Sequence, residues 1–435
     1  MIGFFSAGTL LAASLCLASG CATAPATRAT ATPVSPAAAS TVAIPDSDPR
    51  VRSALDSLRS HEAWLIEQQI SICQIEAPPF KERRRAEDFA ARFRALGYAN
   101  ARLDSIGNVI AERPGDPGEP VLVLSAHLDT VFPEGTDVTV RQSGDTLRGP
   151  GIGDDCRGLA VLLAIGRSLN ETSVRTRGTI IFVGTVGEEG AGNLRGVRHL
   201  VDVSLKDRID HFVSIDDAGF TLVTAAVGSN RYRVTYRGPG GHSYTDFGMP
   251  NPTHALGRAI ALLSEVRVPE HPKTTYSVGI VAGGTTVNAI PATASMDVDL
   301  RSESPTSLAT LDSTFRRAVA SALAAERARW PTSSTALDVK IDTIGIRPAG
   351  TQSDASELVR AAISTARELG ITVKPEASST DANYPISRGI PAITIGYGGI
   401  ARGTHSLAEI WIKTPDAEMG PRWAMLIAFR LAGVH

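Results

Sequence analysis

Three short, almost wholly apolar runs constrain the fold of this chain most. They occupy residues 121–125, 179–183 and 212–215. Continuous apolar strands are buried on both faces, which is typical of parallel sheets. Helical patterns precede and separate them, at 82–96 and at 159–169. Because parallel strands are joined by helical crossovers, this alternation predicts an α/β fold, with a mainly parallel sheet and helices on both faces.

The pattern changes between residues 228 and 346. Strand-like segments there alternate polar and apolar residues, as half-solvated strands do, and two helical patterns separate them in the order βαββαβ. The buried pattern then returns. We therefore expect an α/β domain formed by residues 46–227 and 347–435, interrupted by an inserted α+β module at 228–346, which is near the modal domain size.

The N-terminus predicts export. Residues 1–21 are apolar or small and end in Leu-Ala-Ser-Gly-Cys, which resembles a signal peptide with a lipoprotein cleavage site before Cys21. No Lys or Arg precedes the apolar run, so an ordinary signal peptide or a misassigned start are the alternatives. Residues 22–45 are rich in Ala, Thr, Pro and Ser and predict a disordered tether. The expected location is the periplasm or a membrane anchored by lipid at Cys21, facing outside a bacterial cytoplasm.

Composition excludes several partners. The net charge is −2 and aromatic residues make up 5% of the chain, so neither a basic nucleic-acid surface nor a base-stacking platform is indicated. No later segment has the length and apolarity of a transmembrane helix. If Cys21 is acylated, Cys73 and Cys156 remain in the mature chain, and the sequence does not decide whether they form a disulfide.

Acidic and His residues cluster just after the apolar runs, where open α/β sheets bind their ligands. His127 and Asp129, Glu188 and Glu189, and Asp216 and Asp217 follow the three runs. Asp154 and Asp155 end a Gly-rich segment just before the helical pattern at 159–169, and His405 follows a Gly-rich segment after a further buried strand predicted at 391–396. Each pair alone has an ordinary interpretation, such as a surface His, a helix N-cap or a solvated corner. Together, two His and three carboxylates form a suitable ligand set for zinc-like ions.

Five motifs resemble the M20 family of dinuclear zinc peptidases and amidohydrolases. They are AHLDTV at 126–131, GPGIGDD at 149–155, GEEG at 187–190, GPGGHS at 238–243 and THS at 404–406. The resemblance covers residues 50–435 and is nearest to tripeptide-aminopeptidase-like and glutamate-carboxypeptidase-like members. It implies a metallopeptidase domain whose inserted module is a lid that also mediates homodimerisation.

The resemblance also implies a metal-ligand set. His127, Asp154 and Asp216 would hold one metal ion, and Asp154, Glu189 and His405 the other, with Asp154 bridging. Asp217 is an alternative to Asp216. Zinc is expected, and Co²⁺ or Mn²⁺ would also suit these ligands.

Further roles follow from the same resemblance. Glu188 would be the general base, and Asp129 would orient His127. His242 of the lid would reach the partner subunit's site to stabilise the oxyanion. Asn288 and Arg301 resemble two lid residues that contact the substrate. Arg301 would bind the carboxylate of the substrate.

Two departures from the family pattern bear on function. Cys156-Arg157 stand where relatives often have Lys and a small residue, and Cys156 is expected to be buried rather than a ligand. Asp216 is Glu in many relatives, and Asp there accompanies aminopeptidase activity.

The expected activity is hydrolysis of an amide bond in small peptides by water activated between two metal ions, with aminopeptidase-type action favoured. The alternatives are an N-acyl-amino-acid amidohydrolase and, from another class, a non-catalytic lipid-anchored peptide-binding protein. A receptor would not need Glu188.

Overall fold

A computed structural model describes residues 48–331, 333 and 336–435. The predicted signal peptide at 1–21 and tether at 22–45 lie outside these residues. Within the described part of the chain, no helix combines the length and apolarity needed to cross a membrane.

Three helices precede the sheet: α1 (Pro49–Ser60), α2 (Glu62–Cys73) and α3 (Arg83–Ala95). The carboxylate of Asp48 caps α1 by accepting the Arg50 backbone N–H at 2.8 Å. The helical pattern of residues 49–74 is interrupted at His61, which separates α1 from α2. Its backbone leaves helical geometry there, and its ring Nδ1 lies 2.9 Å from the Ser57 carbonyl oxygen.

Strands and helices then alternate up to the inserted module. In chain order they are β1 (Arg102–Leu103), β2 (Val109–Arg113), β3 (Val121–His127), β4 (Arg141–Ser143), β5 (Thr146–Arg148), α4 (Cys156–Glu171), β6 (Thr179–Thr185), α5 (Arg195–His199), β7 (His211–Ile215) and β8 (Leu222–Ala226).

The inserted module is an antiparallel sheet with two helices. It comprises β9 (Gly228–Arg237), β10 (Gly241–His242), α6 (Pro252–Ser264), β11 (Thr274–Gly283), β12 (Ala289–Ile290), β13 (Thr293–Ser302), α7 (Pro305–Arg329) and β14 (Asp338–Arg347). The four long strands are ordered β11-β13-β9-β14, and β10 pairs with β12 in a separate ribbon. Alternate residues of β9 and β13, such as Tyr232, Val234 and Met296, pack with α6 and α7 into one apolar core.

After the module the chain returns to the first sheet. The remaining elements are β15 (Gly350–Thr351), α8 (Glu357–Glu368), β16 (Pro375–Ser378), α9 (Asn383–Ser387), β17 (Ala392–Ile395), β18 (Ile400–Arg402), β19 (Ile410–Ile412) and α10 (Met419–Ala432).

The central sheet has the order β1-β2-β6-β3-β7-β17-β8-β15, with β16 beside β8. Its four middle strands, β6, β3, β7 and β17, are parallel. Leu122 and Leu124 of β3 face a core shared with α1–α4, α8 and α10, whereas Val123 faces the side covered by α5 and α9. Helices therefore cover both faces, and the predicted α/β class is confirmed.

Two further features join distant segments near the sheet edge. A small antiparallel sheet, ordered β18-β19-β5-β4, brings residues 141–148 beside 400–412. A disulfide joins Cys73, at the end of α2, to Cys156, at the start of α4, with Cα atoms 5.4 Å apart. The disulfide answers the question that the sequence leaves open.

Candidate metal centre and active site

The parallel strands deliver the predicted residues to one edge of the sheet. His127 is the last residue of β3, Glu188 and Glu189 follow β6, and Asp216 follows β7. Since β6, β3 and β7 are adjacent and parallel, their carboxyl ends place these side chains side by side.

His127 has distinct partners at its two ring nitrogens. Nδ1 lies 3.0 Å from the carbonyl oxygen of Asp129, and Nε2 lies 2.7 Å from Asp154 Oδ1. A carbonyl oxygen only accepts, so Nδ1 carries a proton and Nε2 is the nitrogen available for a metal. Burial works against the charge of His127, but hydrogen bonds to Asp129 and Asp154 raise its pKa well above the ordinary value.

Asp129 also orders the segment that carries Glu188 and Glu189. Its carboxylate accepts the backbone N–H groups of Glu188 at 3.0 Å and Glu189 at 2.9 Å. The same carboxylate is 3.7 Å from His127 Nδ1, so the contact that orients His127 most closely is the Asp129 main-chain carbonyl. This fully buried Asp therefore links two strand exits.

Asp154 lies between two imidazoles. Its Oδ1 contacts His127 Nε2 at 2.7 Å and its Oδ2 contacts His405 Nε2 at 3.0 Å. Burial opposes ionisation, but the two His residues lower the pKa of Asp154 below its ordinary value. The two oxygens of this one carboxylate therefore face two different imidazoles, and all three side chains would be available to hold divalent metal ions.

Glu189 completes this group from the other side. Its Oε1 is 2.9 Å from His405 Nε2. Burial raises the pKa of Glu189 to about 7, against the His405 hydrogen bond and with help from the Asp154 and Glu188 charges. Hydrogen bonds to Asp154 and Glu189 raise the pKa of His405 to about 10.

Asp216 groups differently from the prediction. Ligand atoms of His127, Asp155 and Asp216 lie within 4.8 Å of one another, as do those of His127, Asp154 and Glu189. However, Asp155 Oδ2 accepts the His127 N–H and its Oδ1 accepts the Gly158 N–H, both at 3.0 Å. Because both oxygens already bind backbone groups, we assign Asp155 to holding the loop rather than a metal.

Glu409 is a site residue that the sequence reading missed. Its buried carboxylate accepts the N–H groups of Gly151 at 3.0 Å, Gly153 at 2.8 Å and Asp154 at 3.1 Å. It thereby fixes the Gly-rich loop that presents Asp154. Burial raises the pKa of Glu409 to about 7. The only sequence feature that could have pointed to Glu409 is its position, four residues after the predicted ligand His405.

Arg347 was also missed. Its Nη1 donates to Glu188 Oε1 at 2.9 Å, and its Nη2 donates to the Glu188 carbonyl oxygen. Side chains of both residues are nearly buried, at 6% and 7% exposure. Arg347 ends β14, so the inserted module contacts the predicted base directly.

These groups face a cavity of about 550 Å³. On one side lie Asp154, Glu188, Glu189, Asp216 and His405, and on the other lie Arg231, Arg301 and Arg347 of the inserted module. Arg301 Nε binds Asp299 Oδ2 at 2.7 Å, and Arg231 Nε is 3.7 Å from Asp299 Oδ1. Two arginines therefore share one carboxylate.

His242 and Asn288 lie elsewhere on the module. In the part of the chain that the structure describes, both are exposed and neither lines this cavity. The Asn288 carbonyl accepts the Ser243 N–H at 3.0 Å, and the His242 ring accepts the Tyr244 N–H at 3.2 Å. The fold thus gathers every predicted metal ligand with Asp129, Glu188 and Arg301, but not these two residues.

The donor set suits divalent metal ions. Four carboxylates, from Asp154, Glu188, Glu189 and Asp216, converge in a largely buried space. Burial raises the pKa of Asp216, and repulsion from the charges of Asp154 and Glu188 raises it further. Such crowding is relieved by cations. Two imidazoles beside these oxygens give the N/O mixture that zinc-like ions prefer.

Comparison with known proteins agrees with this geometry. Residues 123–428 match the model of peptidase family M20/M25/M40. Carboxypeptidase G2 from Pseudomonas sp. (strain RS-16) is 29% identical over 338 residues, which cover 73% of this chain and 76% of that protein.

Solved structures share the fold. Aminopeptidase PepT from Bacillus cereus ATCC 10987 superposes with a TM-score of 0.68 at 21% identity, covering 85% of this chain and 98% of that one. The YXEP protein of Bacillus subtilis, described as a dinuclear metal binding peptidase, gives a TM-score of 0.62 at 15% identity over 87% of this chain and 100% of that one. The resemblance predicted from the five motifs is confirmed: the chain belongs to peptidase family M20/M25/M40.

Proposed function

We propose that this hydrolase cleaves an amide bond in small peptides that carry a free carboxylate. The observation that supports this most is that the carboxylate and His cluster faces Arg231 and Arg301 across one cavity. The cluster provides the chemistry, and the arginines provide a place for the anionic end of the substrate.

Each residue of the cluster has a distinct task. Two divalent metal ions, when bound, would polarise the scissile carbonyl and lower the pKa of the attacking water. His127, Asp154, Asp216, Glu189 and His405 would hold them. Glu188 takes the proton from the attacking water and returns it to the leaving amine. Asp129 keeps Glu188 and Glu189 in place through their backbone N–H groups.

The charges of the arginine side favour one substrate carboxylate. Arg231 and Arg301 carry two positive charges and share the negative charge of Asp299. The side of the cavity formed by Arg231, Arg301 and Asp299 (the arginine wall) therefore carries a net charge of about +1. A guanidinium matches a carboxylate through paired N–H groups, so the wall suits a free C-terminus. Carboxypeptidase G2, the relative described above, is by its name an enzyme that acts at such an end.

Two classes of substrate have a carboxylate that the arginine wall could bind. The first is a small peptide cut in the aminopeptidase manner, for which Asp217, in the same cavity, offers a carboxylate to the substrate ammonium group. The second is an N-acyl amino acid, which presents a carboxylate but no ammonium group. A probable succinyl-diaminopimelate desuccinylase from Staphylococcus aureus (strain MRSA252) is 30% identical over 136 residues, which cover 30% of this chain and 33% of that protein; its name describes removal of an acyl group, which supports this second candidate.

The proposal extends to metal, assembly and location. Zinc is the expected ion because His and carboxylate ligands are combined. A homodimer formed through the inserted module would bring His242 of one subunit to the other's site. Export is supported by the disulfide between Cys73 and Cys156, since disulfides persist mainly in oxidising compartments.

An enzyme variant and amidated substrates together test whether Arg301 binds the substrate carboxylate. Arg301→Met should lower kcat/KM roughly ten- to a hundredfold for substrates with a free carboxylate, because a charge-assisted hydrogen bond is lost. The same substrates with an amidated C-terminus should be cleaved equally slowly by wild type and variant. An equal loss on both kinds of substrate would contradict carboxylate recognition by Arg301.

A second variant separates the two substrate classes. Asp217→Asn should raise KM for peptides with a free amino group and leave N-acyl amino acids unaffected. If wild type cleaves N-acyl amino acids and no free peptide, the deacylase is the correct assignment.

A further inference from the structure

The last turns of α2 contact the Gly-rich loop that presents Asp154. Gln69, a fully buried residue, donates a side-chain Nε2–H to the Ile152 carbonyl oxygen at 2.8 Å. Cys73, at the end of the same helix, places its sulfur 3.4 Å from the Pro150 carbonyl oxygen. Two alternate carbonyl groups of the loop therefore face α2.

The opposite side of the loop is held by the segment of β19. Three backbone N–H groups of the loop bind Glu409, the residue before β19. Arg157, which is fully buried, joins the two sides. Its Nη1 donates to Gln69 Oε1 at 3.3 Å, and its guanidinium lies 4.4 Å from the centre of the Trp411 ring in β19. The loop is therefore enclosed between α2 and β19, and a change on either side should move Asp154.

A covalent bond fixes α2 to the residues just after the loop. The disulfide joins Cys73 to Cys156, which begins α4 two residues after Asp154, and both cysteines are fully buried. The bond links positions 83 residues apart, so it prevents the two segments from separating by local opening. Cys156, which departs from the family pattern, is therefore a crosslink rather than a metal ligand.

The same end of α2 is bound to the segment that carries His127. Arg85, which is fully buried, donates from Nη2 to the Cys73 carbonyl oxygen at 3.3 Å and from Nη1 to the Leu128 carbonyl oxygen at 2.8 Å. Leu128 lies between His127 and Asp129 in the chain. The end of α2 is thus connected to both ligand segments, to one through Arg85 and to the Gly-rich loop through the disulfide.

We propose that the Cys73–Cys156 disulfide positions the metal ligands, so that high metal affinity depends on oxidation of these two cysteines. It does so by fixing Asp154 relative to His127, and Gln69 is a positioning residue that acts with it. Ligands held in place before metal arrives bind more tightly, because less freedom is lost on binding. This inference rests on the proposed function of His127 and Asp154 as metal ligands.

Substitution of both cysteines tests the proposal. Cys73→Val combined with Cys156→Ala removes the bond and leaves no thiol that could itself bind metal. Affinity for Zn²⁺, measured by competition with a chelator at a temperature where circular dichroism shows a folded chain, should fall about 10–100-fold.

Ser168→Ala is the matched control. The Ser168 hydroxyl donates to the Ala54 carbonyl oxygen at 2.7 Å and so ties a later turn of α4 to α1. Loss of this buried contact should lower the melting temperature but leave Zn²⁺ affinity at the wild-type value. Wild-type affinity in the folded cysteine variant, or equal losses in the two variants, would overturn the proposal.

A second variant tests the same arrangement with the disulfide intact, so the answer does not depend on the folding of the cysteine variant. Gln69→Glu keeps an acceptor for Arg157 but replaces the N–H that binds the Ile152 carbonyl. Metal affinity should fall about tenfold, and the visible absorption of bound Co²⁺, which reports ligand geometry, should change. Wild-type affinity and an unchanged Co²⁺ spectrum would contradict the proposal.

The wild-type protein in two redox states gives a direct comparison. Oxidation converts two thiols into one S–S bond and passes two electrons and two protons to an oxidant such as oxidised glutathione, which leaves as two thiols. Protein refolded anaerobically without oxidant should bind Mn²⁺ about 10–100-fold more weakly than the oxidised protein, and oxidised glutathione, later removed, should restore the affinity. Mn²⁺ is the probe because thiolates bind it poorly. Equal affinity in the two states would overturn the proposal.

These measurements need no substrate, so they separate this proposal from the proposed function. Disulfide-dependent metal binding without cleavage of any amide would refute the proposed function alone. Amide cleavage by a protein whose metal affinity ignores the disulfide would refute the positioning role alone. A wild-type protein that binds no metal in either redox state would refute both.

Discussion

The edge of the central sheet and the His242 loop of the inserted module hold their polar residues in opposite ways. At the sheet edge, backbone N–H groups fix buried carboxylates: Asp129 accepts two, Asp155 two and Glu409 three. On the module, His242 is exposed, and so are its neighbours Tyr244, Phe247 and Val287. The sheet edge is preorganised within one chain, whereas the His242 loop acquires a site only if another surface covers it.

The largest effect should come from the sheet edge itself. Glu188→Gln removes the group that moves the proton, so turnover should fall by about 10²–10⁴-fold while the metal content is unchanged. Activity assays paired with elemental analysis check this. Loss of metal along with activity would reassign Glu188 from base to ligand and weaken the contrast between the two regions.

The next effect tests the module. If His242 stabilises the oxyanion in the partner subunit's site, His242→Ala should lower turnover by about 10²–10³-fold without changing metal content. Co-refolding or co-expression with Glu188→Gln should then restore activity, because mixed dimers contain one site with both residues intact. Absence of recovery in verified mixed dimers would place His242 outside the reaction.

A smaller effect should follow from the supports of the ligands. Asp129→Asn keeps the shape but replaces a carboxylate oxygen by an amide that cannot accept both N–H groups. Metal affinity should fall about 10–100-fold, as measured by competition with a chelator. A comparable loss from a substitution in the exposed loop, such as Tyr244→Ala, would show that the sheet edge is not the preorganised region.

The smallest expected effect is the release of protons from the predicted metal ligands when metal binds. His127 and His405 have raised pKa values without metal, so both are protonated near neutral pH and must lose protons to become ligands. Metal binding should therefore release these two protons, and more wherever Asp216 and Glu189 are also protonated, and affinity should fall as the pH drops. Below about pH 7 the fall should steepen, because Glu189, with a pKa of about 7, also gains a proton. Calorimetry in buffers of different ionisation enthalpy measures the count.

The sequence could predict site residues that belong to contiguous patterns, but not those that reach the site from distant parts of the chain. The buried strands and the residues just after them are contiguous patterns, so His127, Glu188, Glu189 and Asp216 could be placed at one sheet edge in advance. Arg347 and Glu409 could not be connected with the site. They lie 159 residues from Glu188 and 256 residues from Gly153, respectively, and only the folded chain brings them together.

Short elements were missed for another reason. The strands β4, β5, β18 and β19 have three residues each, too few to show periodicity. Yet this small sheet places the Gly-rich loop beside the segment of His405. The ligand pattern was visible in the sequence, but the scaffold that aligns it was not.

Metal stoichiometry of the purified protein, measured together with amide hydrolysis, tests the central claim most directly. The account predicts about two divalent ions per chain and cleavage of small peptides or N-acyl amino acids that a chelator abolishes and added metal restores. A protein that binds no metal after supplementation with zinc, cobalt or manganese, and cleaves none of these substrates, would contradict it.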